Sequence, residues 1–263
     1  MGNDGCGELQ LELLRCWRLR QDEVVVHVAT RQQRLIAALA IKGPSLRSYL
    51  VGLLWPEYPN ARALESLRVS MHLVSRQIPR LIVNDGAMLS LDNRVEVDLE
   101  RVRAQTLALS QGGLESDASS TLRTLQNAEL LPGWYEDWVV FEQSRLQQDR
   151  LRAFTIFAGD SLAHGHPEIA GAAAEAALEI EPLYENAVRL LISAEIQHYN
   201  PAGALRAYER YRQKLEQDMG LRPSASVRGL VADVLERERR AGKDRLVPAA
   251  DAWLDREPLL DHS

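Results

Sequence analysis

The sequence of 263 residues predicts a mainly α protein with a small β component. Three observations support this fold class. Short alternating apolar segments and a turn signal fall before residue 97, three helical segments lie among them, and the spacing of apolar residues is helical after residue 102. The first part has the element order of a winged helix-turn-helix domain, and the second fits an all-α domain of tetratricopeptide-like (TPR-like) repeats. We predict these domains at residues 1–102 and 103–240, followed by a C-terminal tail at 241–263.

Residues 9–28 alternate apolar and polar side chains, which predicts short antiparallel strands. We expect a tight connection between strands at Gln21 and Asp22. Thr30 is then placed to cap the next helix, "RQQRLIAALAIKG", which should end at Gly43. The apolar positions of the strands are Leu9, Leu11 and Leu13, and then Val24, Val26 and Val28.

Two further helices and a hairpin complete the first domain. A helix at "LRSYLVGLLW" should stop at Pro56, and the proline-containing loop "PEYPNA" leads into a helix at residues 64–78. Asn84-Asp85-Gly86 lies between two apolar runs and predicts a hairpin turn. The 64–78 helix should bury one apolar stripe, formed by Leu64, Leu67, Met71, Val74 and Ile78.

The second domain shows weak internal repetition. Compared with itself at an offset of 34, the period of TPR repeats, the sequence matches at five positions. Small alanines at such positions allow helices to pack closely, so we predict stacked helical hairpins. The matched pairs are His164 with His198, Pro167 with Pro201, Ala170 with Ala204, Ala173 with Ala207, and Glu175 with Glu209.

Charge is unevenly distributed along the chain. The formal net charge is −6, yet eight basic and two acidic residues lie between Arg31 and Arg80, a local charge of +6. This distribution is typical of a module that meets phosphate beside one that does not, although chance clustering is an alternative.

Other function classes find little support. The sequence has no apolar run of about 20 residues and no secretory signal, so we expect a cytoplasmic protein without a membrane contact. Cys6 and Cys16 lack metal-ligand or disulfide spacing, and no lysine has a phosphate-loop context. The histidines of "HGHP", His164 and His166, fit a helix-end turn better than a metal site. We therefore expect no enzyme, no metal and no cofactor.

The exposed half of the 64–78 helix is the candidate functional surface. Only Glu65 is acidic on this half, whereas a merely solvated face usually mixes both signs of charge. In a winged helix-turn-helix domain the third helix enters the DNA major groove. The residues of this half are Ser66, Arg68, Val69, Ser70, His72, Leu73 and Arg76.

Four stretches resemble a known family, the bacterial transcriptional activators of the antibiotic-regulatory-protein type. The stretches are "LRSYLVGLLWPE", "ALESLRVSMHLVSRQI", "LLPGWYEDWVVFEQSRLQQDRL" and "ALRAYERYRQKLEQDMGLRPSASVRGL". The resemblance implies an OmpR-like winged helix followed by a bacterial transcriptional activator domain. It also implies a DNA-binding activator that occupies direct repeats in promoters as a homodimer and assists RNA polymerase.

Carried over by position, the groove-facing residues of that family fall on Ser66, Val69, Ser70, Leu73 and Arg76. Arg62 and Arg68 are then backbone contacts, and Arg80, Arg47 and Lys42 are suited to neutralise phosphates. His72 has either a contact or no role, and an ion pair with Glu65 or Glu57 is the alternative for Arg68.

Two residues depart from the family pattern. Leu73 stands where relatives commonly have an arginine, which replaces a guanine reader by a side chain suited to a thymine methyl. The wing tip, Asn84-Asp85-Gly86, lacks the arginine that often enters the minor groove. The sequence preference of relatives therefore does not transfer to this chain.

The alternative function is an effector-sensing TPR-like regulator whose DNA binding depends on a small ligand, such as a nucleotide, or on a protein partner. Helical repeats bind such ligands on their surfaces. Plain core packing is the simpler explanation for the aromatic residues that suggest an effector pocket, namely Trp134, Tyr135, Tyr184, Tyr199, Tyr208 and Tyr211.

Overall fold

The computed structural model describes residues 8–111 and 118–244. This part of the chain contains ten α-helices and seven short β-strands, so the predicted fold class is confirmed. Cys6 and residues 245–263 of the predicted tail lie outside the described residues. The described residues fall into two compact units, one up to Phe157 and the other from Ala158.

A four-stranded sheet begins the first unit. It consists of β1 (Leu9–Glu12), β2 (Arg18–Gln21), β3 (Val24–Val26) and β7 (Val95–Val97), in the order β3-β2-β1-β7. The β1–β7 pair is parallel and the others are antiparallel. Gln21 pairs with Val24, so the turn residues are Asp22 and Glu23, one position beyond the prediction; both have positive φ, 47° and 66°.

Three helices form the core of the winged helix: α1 (Thr30–Lys42), α2 (Arg47–Leu54) and α3 (Asn60–Gln77). α1 ends at Gly43 as predicted, where φ is +73°. The prediction that Thr30 caps α1 is wrong. Ala29 occupies the cap position without a side-chain hydrogen bond, because Thr30 already has helical geometry.

A second, three-stranded sheet forms the wing. It contains β4 (Ser45–Leu46), β5 (Ile82–Asp85) and β6 (Met88–Leu91) in the order β4-β6-β5, with antiparallel pairs. Asp85 pairs with Met88, so the hairpin turn is Gly86-Ala87 rather than the predicted Asn-Asp-Gly. Gly86 has a φ of +59°, which favours glycine at this position.

Three more helices belong wholly or largely to the first unit: α4 (Asp98–Ser110), α5 (Ala118–Gln126) and α6 (Asp137–Ala163). The Asp98 carboxylate accepts hydrogen bonds from the backbone N–H groups of Leu13 and Leu14, at 2.9 and 3.0 Å. The Leu131 N–H donates to the Leu13 carbonyl at 2.8 Å. The segment before α6 is thus joined to the chain after β1.

The second unit contains α7 (Pro167–Ile180), α8 (Glu185–Gln197), α9 (Pro201–Met219) and α10 (Ala225–Asp244). α8 packs against α7, α9 and α10. Small residues form the contact between α7 and α8, since Ala170, Ala173 and Ala177 of α7 and Ala187 and Ala194 of α8 are buried. These stacked helices agree with the predicted TPR-like fold.

The period of 34 is visible in the backbone of the turns before α7 and α9. The His166 N–H donates to the Ser161 carbonyl, and 34 residues later the Asn200 N–H donates to the Glu195 carbonyl; both distances are 2.8 Å. Proline is the first residue of both helices. The two turns are therefore structural copies.

The compact units differ from the predicted modules, whose boundary after residue 102 stays a prediction. Among the helices of residues 8–111 and 118–244, none has both the length and the apolar character that a bilayer span requires.

Candidate nucleic-acid interface

The buried side of α3 orients its outer face. Leu67, Val74 and Ile78 are fully buried, as the sequence predicts, whereas Leu64 is only half-buried. The opposite side carries most of the predicted contact residues in exposed positions, with Ser66 half-buried at the margin. The exposed members are Arg68, Val69, His72, Leu73 and Arg76. We call these five residues and Ser66 the α3 outer face.

Ser70 does not belong to the α3 outer face. Its side chain is fully buried, and its Oγ has no hydrogen-bond partner among the described residues. The prediction that Ser70 faces outward is wrong because the residue lies three positions after Leu67 and four before Val74, on the core side of the helix.

Two apolar side chains stand out at the centre of the α3 outer face. Val69 and Leu73 are 41% and 45% exposed. They lie four residues apart, so their side chains are neighbours on the helix surface. Exposed β-branched and aliphatic side chains of this kind are suited to meet thymine methyl groups.

Arginines surround these apolar residues. Arg76 makes no ion pair or hydrogen bond within the described part of the chain. Arg68 lies 3.5 Å from Glu65, but both side chains are about two-thirds exposed, so the pair contributes little stability and leaves Arg68 available for a phosphate. The Arg62 guanidinium stacks on the Tyr58 ring, 4.5 Å from its centroid, which orients it near the start of α3.

Arg47 reaches the wing instead of pointing freely into solvent. Its Nε donates to the Gly86 carbonyl and its Nη2 to the Asn84 side-chain oxygen, both at 2.8 Å. No pattern in the sequence predicts this contact, because 37 residues or more separate the partners. Arg47 therefore links the start of α2 to the tip of the β5–β6 hairpin.

Arg80 follows α3 and is exposed, with a φ of +71°. Its charge contributes to the environment of Asp92. The Asp92 pKa is lowered to about 2, first by the hydrogen bond from the Arg94 side chain and to a smaller extent by the charge of Arg80. Asp92 is thus ionised at neutral pH and paired mainly with Arg94.

The local charge of +6 overstates the free positive charge of the first domain. Lys42, a predicted phosphate contact, donates to Glu142 at 2.7 Å and its side chain is only 18% exposed. Arg34 pairs with Glu136 at 2.9 Å. Lys42 is therefore a structural residue here, and that prediction is wrong because its partner lies 100 residues away in the sequence.

The aromatic residues of the suggested effector pocket have different environments. Trp134 and Tyr135 belong to the first unit and the four other tyrosines to the second. Tyr135 and Tyr199 are 84% and 95% exposed, whereas Tyr211 is buried and donates to Glu185 at 3.0 Å. Burial and the bond to Glu185 raise the pKa of Tyr211 to about 12. The low exposure of its side chain places Tyr211 within the packing of the second unit.

His164 and His166 lie at the turn that follows α6, and the His164 Nδ1 is 2.7 Å from the Asp160 carbonyl. Within the described residues, no three His, Cys, Asp or Glu side chains are grouped in a way that suits a metal ion.

Comparison with known proteins gives two findings. Residues 97–235 match the family of the bacterial transcriptional activator domain. The solved structure of Mycobacterium tuberculosis EmbR in complex with a low-affinity phosphopeptide is similar to this one with a TM-score of 0.65 and 22% sequence identity. The match covers 91% of this chain and 69% of that chain, and at this identity it shows a shared fold. No curated protein matches this chain.

Proposed function

Because this chain belongs to the family of the bacterial transcriptional activator domain, we propose that it activates transcription by binding specific promoter DNA and assisting RNA polymerase. The observation that carries the proposal is the α3 outer face, where two exposed aliphatic residues lie among arginines on the helix that a winged helix places in the major groove.

Base recognition is assigned to the centre of this face. Val69 and Leu73 contact thymine methyl groups, and Arg76 reads a guanine or binds a phosphate. Ser66, half-buried at the margin, is short enough to let the helix approach the base edges. The exposed His72 is assigned an additional, weaker DNA contact on the same face. Ser70 has no role in the proposal because it is buried.

Phosphate contacts are assigned to the periphery. Arg62, Arg68 and Arg80 are placed around α3 to neutralise phosphates, which fix the orientation of the protein but carry no sequence information. Arg47 acts through the wing, since its guanidinium holds the β5–β6 hairpin. Most of the affinity should therefore depend on salt concentration.

The remaining parts of the proposal follow from the family. The protein works in the cytoplasm, and two protomers occupy direct repeats, so that the helical second part of the chain serves pairing and polymerase contact.

Promoter binding across a salt series tests the proposal. Purified protein is titrated with DNA from its own upstream region, and Arg68→Ala and Arg76→Ala are compared with Arg206→Ala, which removes an exposed arginine of α9. The salt slope is the slope of the logarithm of the binding constant against the logarithm of the salt concentration. Loss of a phosphate contact should reduce the salt slope by about one, and loss of a base contact should cost about 1–3 kcal/mol of binding free energy. Unchanged binding for both α3 variants would refute the interface.

The effector-dependent regulator remains the second candidate. The aromatic residues do not support it, since Tyr135 and Tyr199 are exposed and Tyr211 is buried. A cavity between α4 and α6 supports it, because three arginines in its lining could bind an anionic effector.

A further inference from the structure

A cavity of about 430 Å³ opens between α4 and α6, in the first unit. This volume lies in the usual range for small-molecule sites. None of the sequence motifs pointed to it, because its lining combines the end of α1 with one face each of α4 and α6. Ten residues line it: Ile41, Arg103, Thr106, Leu107, Ser110, Glu142, Arg145, Leu146, Asp149 and Arg152.

Positive charge predominates in the cavity. Three arginines line it against two carboxylates. The Glu142 carboxylate is only 4% exposed and already has two cationic partners, Lys42 at 2.7 Å and Arg103 at 3.2 Å. With Lys42 included, four cations face two anions, so the cavity has a deficit of negative charge.

Two of the arginines are available to a ligand. Arg145 and Arg152 are exposed, and neither forms an ion pair or side-chain hydrogen bond within residues 8–111 and 118–244. They lie seven positions apart on one face of α6, a rise of about 10 Å. Guanidinium groups at that separation suit a ligand with more than one phosphate, because each planar fork binds phosphate oxygens in a bidentate manner.

The cavity also offers an apolar surface. Ile41 and Leu146 are buried in its wall, whereas Leu107 is 58% exposed at the same site. An exposed leucine beside free guanidinium groups suits a flat ring system, which covers the leucine on one side and stacks on arginine on the other.

We propose that this cavity binds a nucleoside polyphosphate. The phosphates bind Arg103, Arg145 and Arg152, and the base lies against Leu107 and Leu146. Binding alone is inferred, since the chain has no phosphate-loop motif.

The ligand also has a route to the winged helix. Arg103 donates both to the Ile41 carbonyl, at 3.1 Å, and to Glu142, which in turn holds Lys42. Ile41 and Lys42 are the last residues of α1. A phosphate that draws Arg103 away from these partners removes its hydrogen bonds to the Ile41 carbonyl and to Glu142. The end of α1 is then held less firmly, and the DNA affinity of the winged helix changes. This second step rests on the proposed function, whereas ligand binding does not.

Calorimetric titration of the full-length protein with ATP, GTP, CTP and UTP tests the binding step. Adenosine and inorganic triphosphate separate the contributions of base and phosphate, and each alone should bind at least about tenfold more weakly than ATP. The double variant Arg145→Ala/Arg152→Ala should weaken nucleotide binding by about a hundredfold, with Arg206→Ala as the matched control. Circular dichroism confirms that the variants are folded.

Two results would overturn the site: no nucleoside triphosphate binding at about 1 mM, or binding that is the same in the double variant. The regulatory step is tested separately by titrating promoter DNA with and without saturating nucleotide. Equal DNA affinity in both conditions would overturn the coupling alone. Absence of DNA binding in every condition, with nucleotide binding intact, would overturn the proposed function and leave the site standing.

Discussion

At the scale of single residues, Tyr199 has a backbone conformation that is unfavourable for any residue other than glycine. Its φ is +56°, and the equivalent residue 34 positions earlier is Gly165, with a φ of +77°. A non-glycine residue in this region is strained by about 1 kcal/mol. The Tyr199 side chain is 95% exposed, so packing within the chain does not offset the strain.

We expect Tyr199→Gly to raise the free energy of unfolding by about 1 kcal/mol. Urea unfolding midpoints measure this change, provided that the dependence of the unfolding free energy on urea concentration is the same in both proteins. Gly165→Ala is the matched control and should lower it by a similar amount, since an added Cβ there meets no atom within 4 Å and the effect is conformational only. A loss of stability in Tyr199→Gly would contradict this account.

Glu185 makes the stability of the second unit depend on pH. Its pKa is lowered from the ordinary value of 4.5, first by the hydrogen bond from the Ser224 hydroxyl, with a further contribution from Tyr211. Because the folded state favours the ionised carboxyl, the stabilisation is complete above pH 4.5 and is lost as the pH falls through the lowered pKa. Urea midpoints measured from pH 7 to pH 3 should fall less steeply for Glu185→Gln than for the unchanged protein. Parallel curves would show that Glu185 is not responsible.

Ser70 shows where prediction from sequence failed at this scale. Its chemistry suggested an outward position, but its spacing from Leu67 and Val74 places it on the buried side. Spacing decided the outcome, because the position lies on the core side of the helix whatever the polarity of its side chain. The same spacing argument correctly predicted that Leu67, Val74 and Ile78 are core residues.

At the scale of elements, the wing depends on Arg47. This side chain donates two hydrogen bonds to the β5–β6 hairpin, one to Asn84 of β5 and one to Gly86 of the turn, and β4 adds only two residues to the sheet. Arg47→Ala should therefore weaken promoter binding by about 1 kcal/mol through a less ordered wing. The salt slope should change by less than one, unlike that of a phosphate contact. Binding in a salt series measures both quantities, and a slope reduced by a full unit would make Arg47 a direct contact.

Glu142 joins three helices, α1, α4 and α6, through Lys42 and Arg103. Removing one member of a buried ionic cluster leaves the others with uncompensated charge. Since Lys42 and Arg103 are partly exposed, we expect Glu142→Ala to lower the free energy of unfolding by about 2 kcal/mol in urea. Glu142→Gln keeps the volume and isolates the contribution of the charge. A change below about 0.5 kcal/mol in both variants would show that the cluster is solvated.

Element types were predictable from periodicity, but short strands and turn positions were not. Helices α1 to α3 have clear apolar spacing, and the bounds of α1 and α2 agree closely with the sequence prediction. α3 begins at Asn60, four residues before the predicted start and within the segment predicted as a loop, because Pro59 can precede a helix without interrupting it. The two-residue strand β4 has no periodicity of its own and exists only because β6 lies beside it. Both hairpin turns end one residue beyond the predicted turn, since pairing in the sheet selects the turn residues.

At the scale of the whole molecule, the first compact unit extends well beyond the winged helix. Leu131 and Asp98 bond to the backbone after β1, and Glu136 and Glu142 pair with α1. A fragment of residues 1–157 should therefore have a higher melting temperature than a fragment of residues 1–103. Thermal unfolding followed by circular dichroism compares the two, and equal melting temperatures would mean that these contacts add no stability.

The sequence indicated two domains, but it does not reveal ion pairs between distant segments. Glu142 and Lys42 are 100 residues apart, and each reads alone as an ordinary surface charge. The free charge of the interface and the α4–α6 cavity were hidden for the same reason.

The copied turns before α7 and α9 have a consequence for how such a chain changes length. Because both turns have the same hydrogen bonds and both following helices begin with proline, the end of one 34-residue segment has the geometry that the next requires. A segment inserted or deleted as a whole leaves each joint as it was. This part of the chain can thus be lengthened or shortened at these turns in whole steps of one repeat.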